Sequence, residues 1–83
     1  MELDPVPEQI KDWWVVEWSP SQAQFHIDTV ANMLARNKSS MAKRVPIDFF
    51  PIAFCKSIEQ ANDVVPKAEF LQRHTPSYKD PTD

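Results

Sequence analysis

None of the 83 residues is glycine, and eight are proline. Glycine is the residue that enters the left-handed backbone region without steric cost. Tight turns that need a positive φ must therefore use asparagine or aspartate here, or be avoided. The same absence removes every glycine-dependent phosphate cradle from consideration. What remains is a chain punctuated by proline, whose elements have to be read from the spacing of apolar residues between those marks.

The first such element is Trp13-Trp14-Val15-Val16-Glu17-Trp18, aromatic and β-branched, which predicts a strand. Trp14, Val16 and Trp18 share one face of it, and Trp13, Val15 and Glu17 the other. Ser19-Pro20-Ser21-Gln22 has the residues of a type I turn. The alternation in Ala23-Gln24-Phe25-His26-Ile27 then predicts the second strand of a hairpin. A competing reading starts a helix at Ser21 and runs it to Arg36. Asp28 or Thr29 suits an N-cap. Val30, Met33, Leu34 and Met41 follow at helical spacing, with Asn37 as the residue suited to a left-handed C-cap.

Beyond Pro46, the run Ile47 to Cys55 has strand character, with Pro51 marking an edge or a bulge. Ser57-Ile58-Glu59-Gln60 reads as a capping box opening a second helix, which Pro66 kinks or divides. The expected fold is α+β, in the order β-β-α-β-α: a small three-stranded sheet (a hairpin plus one strand) with two helices on one face. Its inward face would collect Trp14, Val16, Trp18, Phe25, Ile27, Phe50, Ile52 and Phe54, covered by Val30, Leu34, Ile58, Ala61 and Val65. One globular domain spans residues 1–74, beginning with an N-terminal arm at 1–12, and residues 75–83 form a tail. A core of this size is thin, but nine aromatic residues supply large packing units for it.

Charge is unevenly placed. Residues 1–28 carry six acids and one lysine, and residues 29–47 carry Arg36, Lys38, Lys43 and Arg44 with no acid. Residues 48–83 carry six acids and four bases, for an overall charge of −3. A single cysteine, Cys55, excludes an internal disulfide. With an acidic N-terminus lacking an apolar stretch, it favours a reducing, cytoplasmic location. No apolar run is long enough to cross a bilayer.

Catalytic chemistry finds little support in the residues. A nucleophile needs a base within reach and a third group to orient it. Cys55 reads as a small buried hydrophobe, His26 as solvent-facing, and His74 as the end of the last helix. Cysteine and histidine number three in all and lie far apart, which does not suit a structural zinc site, so no metal and no cofactor is expected. The expectation is a protein that is not an enzyme. Trp13, Val15 and Phe49 would form an exposed apolar patch for a protein partner, with Arg36, Lys38, Lys43 and Arg44 as a polar flank. Self-association through that patch and strand addition at the sheet edge are further readings. The alternative is nucleic-acid binding through the basic stretch 36–44.

The segments Trp14-Val15-Val16-Glu17-Trp18-Ser19-Pro20-Ser21-Gln22 and Phe25-His26-Ile27-Asp28-Thr29 resemble openings of small accessory proteins of phages and mobile elements. The later Pro51-Ile52-Ala53-Phe54 and Ser57-Ile58-Glu59-Gln60-Ala61 are similar to them in layout, so the likeness spans about residues 13–65. It transfers no catalytic residue. It implies a stoichiometric modulator that acts on a host enzyme or complex.

Overall fold

A computed structural model describes residues 8–75. Most of the N-terminal arm and all but the first residue of the tail lie outside that range. The element order is β1 (Trp14–Ser19), β2 (Gln24–Thr29), α1 (Val30–Ala42), β3 (Phe50–Cys55) and α2 (Ile58–His74). The strands form one antiparallel sheet in the order β2-β1-β3. The α+β class and the β-β-α-β-α order are those expected from the residues.

β1 and β2 form the hairpin, pairing Val16 with Ile27 and Trp18 with Phe25. The helix alternative from Ser21 does not form. Ala23, at φ 54°, closes the connection in the left-handed region. The second positive φ is at Arg44, so neither asparagine nor aspartate takes either left-handed position among the described residues. Asn37 instead lies inside α1, which continues to Ala42 and takes Lys43 as its C-cap.

Both helices begin on hydroxyl caps. Thr29 Oγ1 accepts from the Asn32 N–H at 3.1 Å, and Ser57 Oγ accepts from the Gln60 N–H at 3.1 Å. Gln60 Oε1 reaches back to the Lys56 N–H at 2.8 Å, one residue before the cap itself, so a second free donor is satisfied. α2 is continuous through Pro66 and is not divided there.

The helices lie on opposite faces of the sheet, which corrects the expected one-face layout. Val15, on one face of β1, packs with Val30 and Met33 of α1, joined by Ile10, Trp13 and Leu34. Val16, on the other face, packs with Cys55 and Ala61, joined by Trp14, Phe25, Ile27, Ala53, Val64 and Val65. The reason is topological. α1 leaves β2 at one edge and must deliver the chain to β3 at the other, so it crosses one face of the sheet. α2 follows β3 and covers the opposite one.

The expected inward row on β3 also fails. Phe50, Ile52 and Phe54 are exposed, as is Ile58. Val16 opposes Ala53 and Glu17 opposes Pro51, so Ile52 is an extra residue in a bulge. A bulge resets the two-residue alternation, and the Phe50–Ile52–Phe54 row no longer shares a face. Phe54 opposes Val15 and Phe50 opposes Trp18, which places them on different sides of the sheet.

Pro66 is exposed, and in a helix interior it removes the hydrogen bond to the Asn62 carbonyl. Pro66→Ala is expected to stabilise the fold by about 2–3 kcal/mol, read as a higher urea midpoint at unchanged slope. A loss of stability instead would mean that a bend at Pro66 is required for α2 to follow the sheet.

Candidate functional site

The α1 face of the sheet has a polar centre. Alternation on β1 places Glu17 on the Val15 face, and the side chain is wholly enclosed, at 0% exposure. From α1, Arg36 donates through Nη2 to Glu17 Oε2 and through Nη1 to Asp28 Oδ2, the latter at 3.0 Å. The Arg36 guanidinium also lies 4.2 Å from the centre of the Phe49 ring. His26 meets the same ring edge-on at 5.4 Å and bonds Gln22 Oε1 through Nε2 at 2.8 Å. The imidazole is half-buried, where a solvent-facing one was expected.

Beside this lies a third acid. Asp48 accepts from the hydroxyls of Ser19 and Ser21, both at 2.6 Å, and from the Ser21 N–H at 3.1 Å. It thereby ties the segment before β3 to the hairpin turn. The bond from the Ser19 hydroxyl holds its carboxyl below the usual range, with those from Ser21 next and the nearby His26 adding to them. Burial works against the charge of Asp28. The bonds from the Asn32 amide, the Thr29 N–H and Arg36 outweigh it, and its carboxyl is also held low. Burial likewise opposes the charge of Arg36, and its bonds to Glu17 and Asp28 overcome that and raise it.

Serine, histidine and aspartate thus come together here, in an order unlike that of a nucleophilic triad. In a triad the imidazole stands between hydroxyl and carboxylate, taking the proton of one and being oriented by the other. Here the hydroxyls donate straight to Asp48 and the imidazole bonds an amide. Such an arrangement pins a loop; it does not activate an oxygen. No group of three or more His, Cys, Asp and Glu suited to a metal ion occurs among the described residues, and none of their helices is long and apolar enough to cross a membrane.

The residues expected to meet a partner divide into three sets. Val15 is fully enclosed and so cannot be a contact; this corrects the expected patch. Trp13 and Phe49 are half-buried, Trp13 against the α1 core with Lys56 Nζ 5.8 Å from its ring centre, and Phe49 under Arg36. Arg36 is turned inward to two carboxylates, which leaves Lys38, Lys43 and Arg44 of the basic flank. Lys43 and Arg44 are exposed, and Lys38 is half-buried.

Two surfaces were missed. Phe50, Ile52 and Phe54 are 45, 51 and 52% exposed on the edge strand β3. Pro51 was the only sign of this, since it marked a bulge that undoes the alternation. Leu34, Asn37, Lys38, Met41 and Ile47 line a cleft between α1 and the segment that returns from it. Its signal was the apolar pair Met41 and Ile47 lying past the expected helix end.

No family model, no curated protein and no solved structure matches this chain. The resemblance to phage and mobile-element accessory proteins rests on the quoted residues alone.

Glu17 Oε1 and Arg36 Nε are buried with no hydrogen-bond partner among the described residues. The pair is therefore costly to break without being strongly stabilising as a whole. Arg36→Leu should cost about 2–4 kcal/mol because it strands the Glu17 charge, whereas Glu17→Leu with Arg36→Leu should recover at least half of that. Additive losses in denaturant melts would refute the coupling.

A separate expectation concerns acid. Asp28 and Asp48 have folded pKa values below their unfolded ones, so their contribution is present above the unfolded carboxylate range. It is lost as pH falls through the folded values. Stability should hold flat near neutrality and drop below about pH 4, with a shallower drop in Asp48→Asn. An equally steep acid limb in that variant would contradict the role given to Asp48.

Proposed function

We propose that this chain is a non-enzymatic protein-binding modulator that occupies a surface of a partner protein. The observation that carries this reading is β3. It is an edge strand without a charged residue in it, and its three large apolar side chains are each about half exposed. On a domain so small, that surface is expensive to leave in water, at roughly 25 cal/mol per Å² of apolar area.

Pro51 and the adjacent bulge bear on the mode of contact. Both are devices that blunt a sheet edge against strand addition, because one removes an N–H and the other distorts the ladder. Contact then comes through the side chains. Phe54 lies on the Val15 side and Phe50 on the Trp18 side, so a partner grips this edge from both faces. Trp13 and Phe49 flank it, and the direct bonding of hydroxyls to Asp48 favours a binding role over a catalytic one. The resemblance to phage and mobile-element accessory proteins points to a host enzyme or complex as the class of target.

The test is affinity capture from source or host lysate, with nuclease treatment and a salt series. A defined protein partner should be retained after nuclease and at high salt. It should be lost with Phe50→Ser plus Phe54→Ser, while the thermal melt of that variant is unchanged to within a few degrees. Retention by the folded double variant would remove β3 from the contact. Recovery of nucleic acid, abolished by moderate salt, would favour the alternative in which Lys38, Lys43 and Arg44 meet phosphates.

A further inference from the structure

The end of α1 is built in a way that the β3 reading does not use. Lys43 caps the helix, and Arg44 follows at φ 58°. The Val45 N–H bonds the Ser40 carbonyl at 3.0 Å, and the Arg44 N–H bonds the Met41 carbonyl at 3.1 Å. This paired closure is the Schellman arrangement, in which the left-handed residue is usually glycine. Here it is arginine. The closure reverses the chain, so that Ile47 comes back beside α1 and forms, with Leu34 and Met41, the apolar lining of a cleft of about 290 Å³. That volume lies at the small end of the roughly 300–1,000 Å³ typical of ligand pockets and has room for one large apolar side chain.

Its surroundings are positive. Lys38 stands in the wall of the cleft, and Lys43 and Arg44 lie at the helix end, with no acid anywhere in residues 29–47. Asp48, the next acid along the chain, is engaged by Ser19 and Ser21. A helix C-terminus attracts cations for its own sake, since its last carbonyls lack partners. Here the backbone N–H groups of Lys43, Arg44 and Val45 already bond the Ser39, Met41 and Ser40 carbonyls, and the last turn itself contains no base. Among the described residues none of these three cations forms a salt bridge.

We infer that this cleft binds an acidic peptide segment of another protein, which inserts one large apolar side chain between Leu34, Met41 and Ile47 and sets its carboxylates against Lys38, Lys43 and Arg44. The aliphatic lining selects a side chain over a nucleotide, because single-stranded nucleic acid is held by aromatic stacking surfaces and this cleft has none. The inference is separate from the β3 reading, and either can fail alone.

The experiment selects a random peptide library on the intact protein, then titrates the amide signals of the labelled protein with a synthetic acidic peptide bearing one central leucine. The expected enrichment is acidic residues around a Leu, Ile, Met or Phe, with shifts at Leu34, Met41 and Ile47. Affinity should fall roughly tenfold or more in Met41→Gln, an exposed position, and in Lys38→Glu. Arg44→Gly should weaken the peptide while preserving or raising stability, because glycine relieves the left-handed strain; a merely structural role would not separate the two readouts. Phe50→Ser plus Phe54→Ser should leave peptide affinity unchanged. Enrichment of basic or uncharged peptides, or indifference to Met41→Gln, would overturn the inference. So would tighter binding of a short DNA at the same amides, or a dimer of the protein alone that Met41→Gln dissolves.

Discussion

Val15 and Val16 are neighbours in sequence, point to opposite faces of β1, and are both fully enclosed. A strand buried on both faces must be central and must be covered twice. That requirement sends α1 across one face and α2 across the other, and it divides the apolar residues into two small cores instead of one. Each core is supported by a helix that begins on a side-chain cap. The thinness of the cores follows from the division: a short chain has few large side chains, and here they serve two layers. Apolar side chains of β3 and the helix ends are left over at the surface.

The same double burial explains Glu17. Any residue on the Val15 side of β1 faces α1, and alternation puts a carboxylate there. Arg36 answers it from α1, held in place by Asp28 and the Phe49 ring. The arginine is thereby withdrawn from the basic face. Charge that looks contiguous along residues 36–44 is split by the fold into one cation paired to two carboxylates and three that form no salt bridge among the described residues. This division underlies the reading of a positive cleft at the end of α1.

The local elements were legible because their determinants are local. A strand expected over Trp13–Trp18 and found at Trp14–Ser19, its hairpin partner and the Ser57 cap all follow from composition, period and capping over a few residues. Lys38, Lys43 and Arg44 could be picked out as a charged group for the same reason. Val15 could not be recognised as enclosed, since an alternating strand looks alike whether one face or two is covered. Nor could the surface position of Phe54, because one inserted residue in β3 exchanges its faces and the sequence marks that insertion only with Pro51.

Left-handed turns show the limit most clearly. Without glycine, local preference pointed to asparagine, yet the chain uses Ala23 and Arg44 and keeps Asn37 helical. The cost of a left-handed alanine or arginine is about 1–2 kcal/mol, small enough for hairpin pairing or a helix closure to override. By itself the sequence determined the class, the order of elements and the absence of a disulfide, each of which depends on short-range pattern or on counting. Only the tertiary structure decided which faces are covered, which arginine is paired to carboxylates and which apolar side chains meet water. Those outcomes depend on the path of α1 between the two edges of the sheet, which joins residues distant in sequence and leaves no local trace.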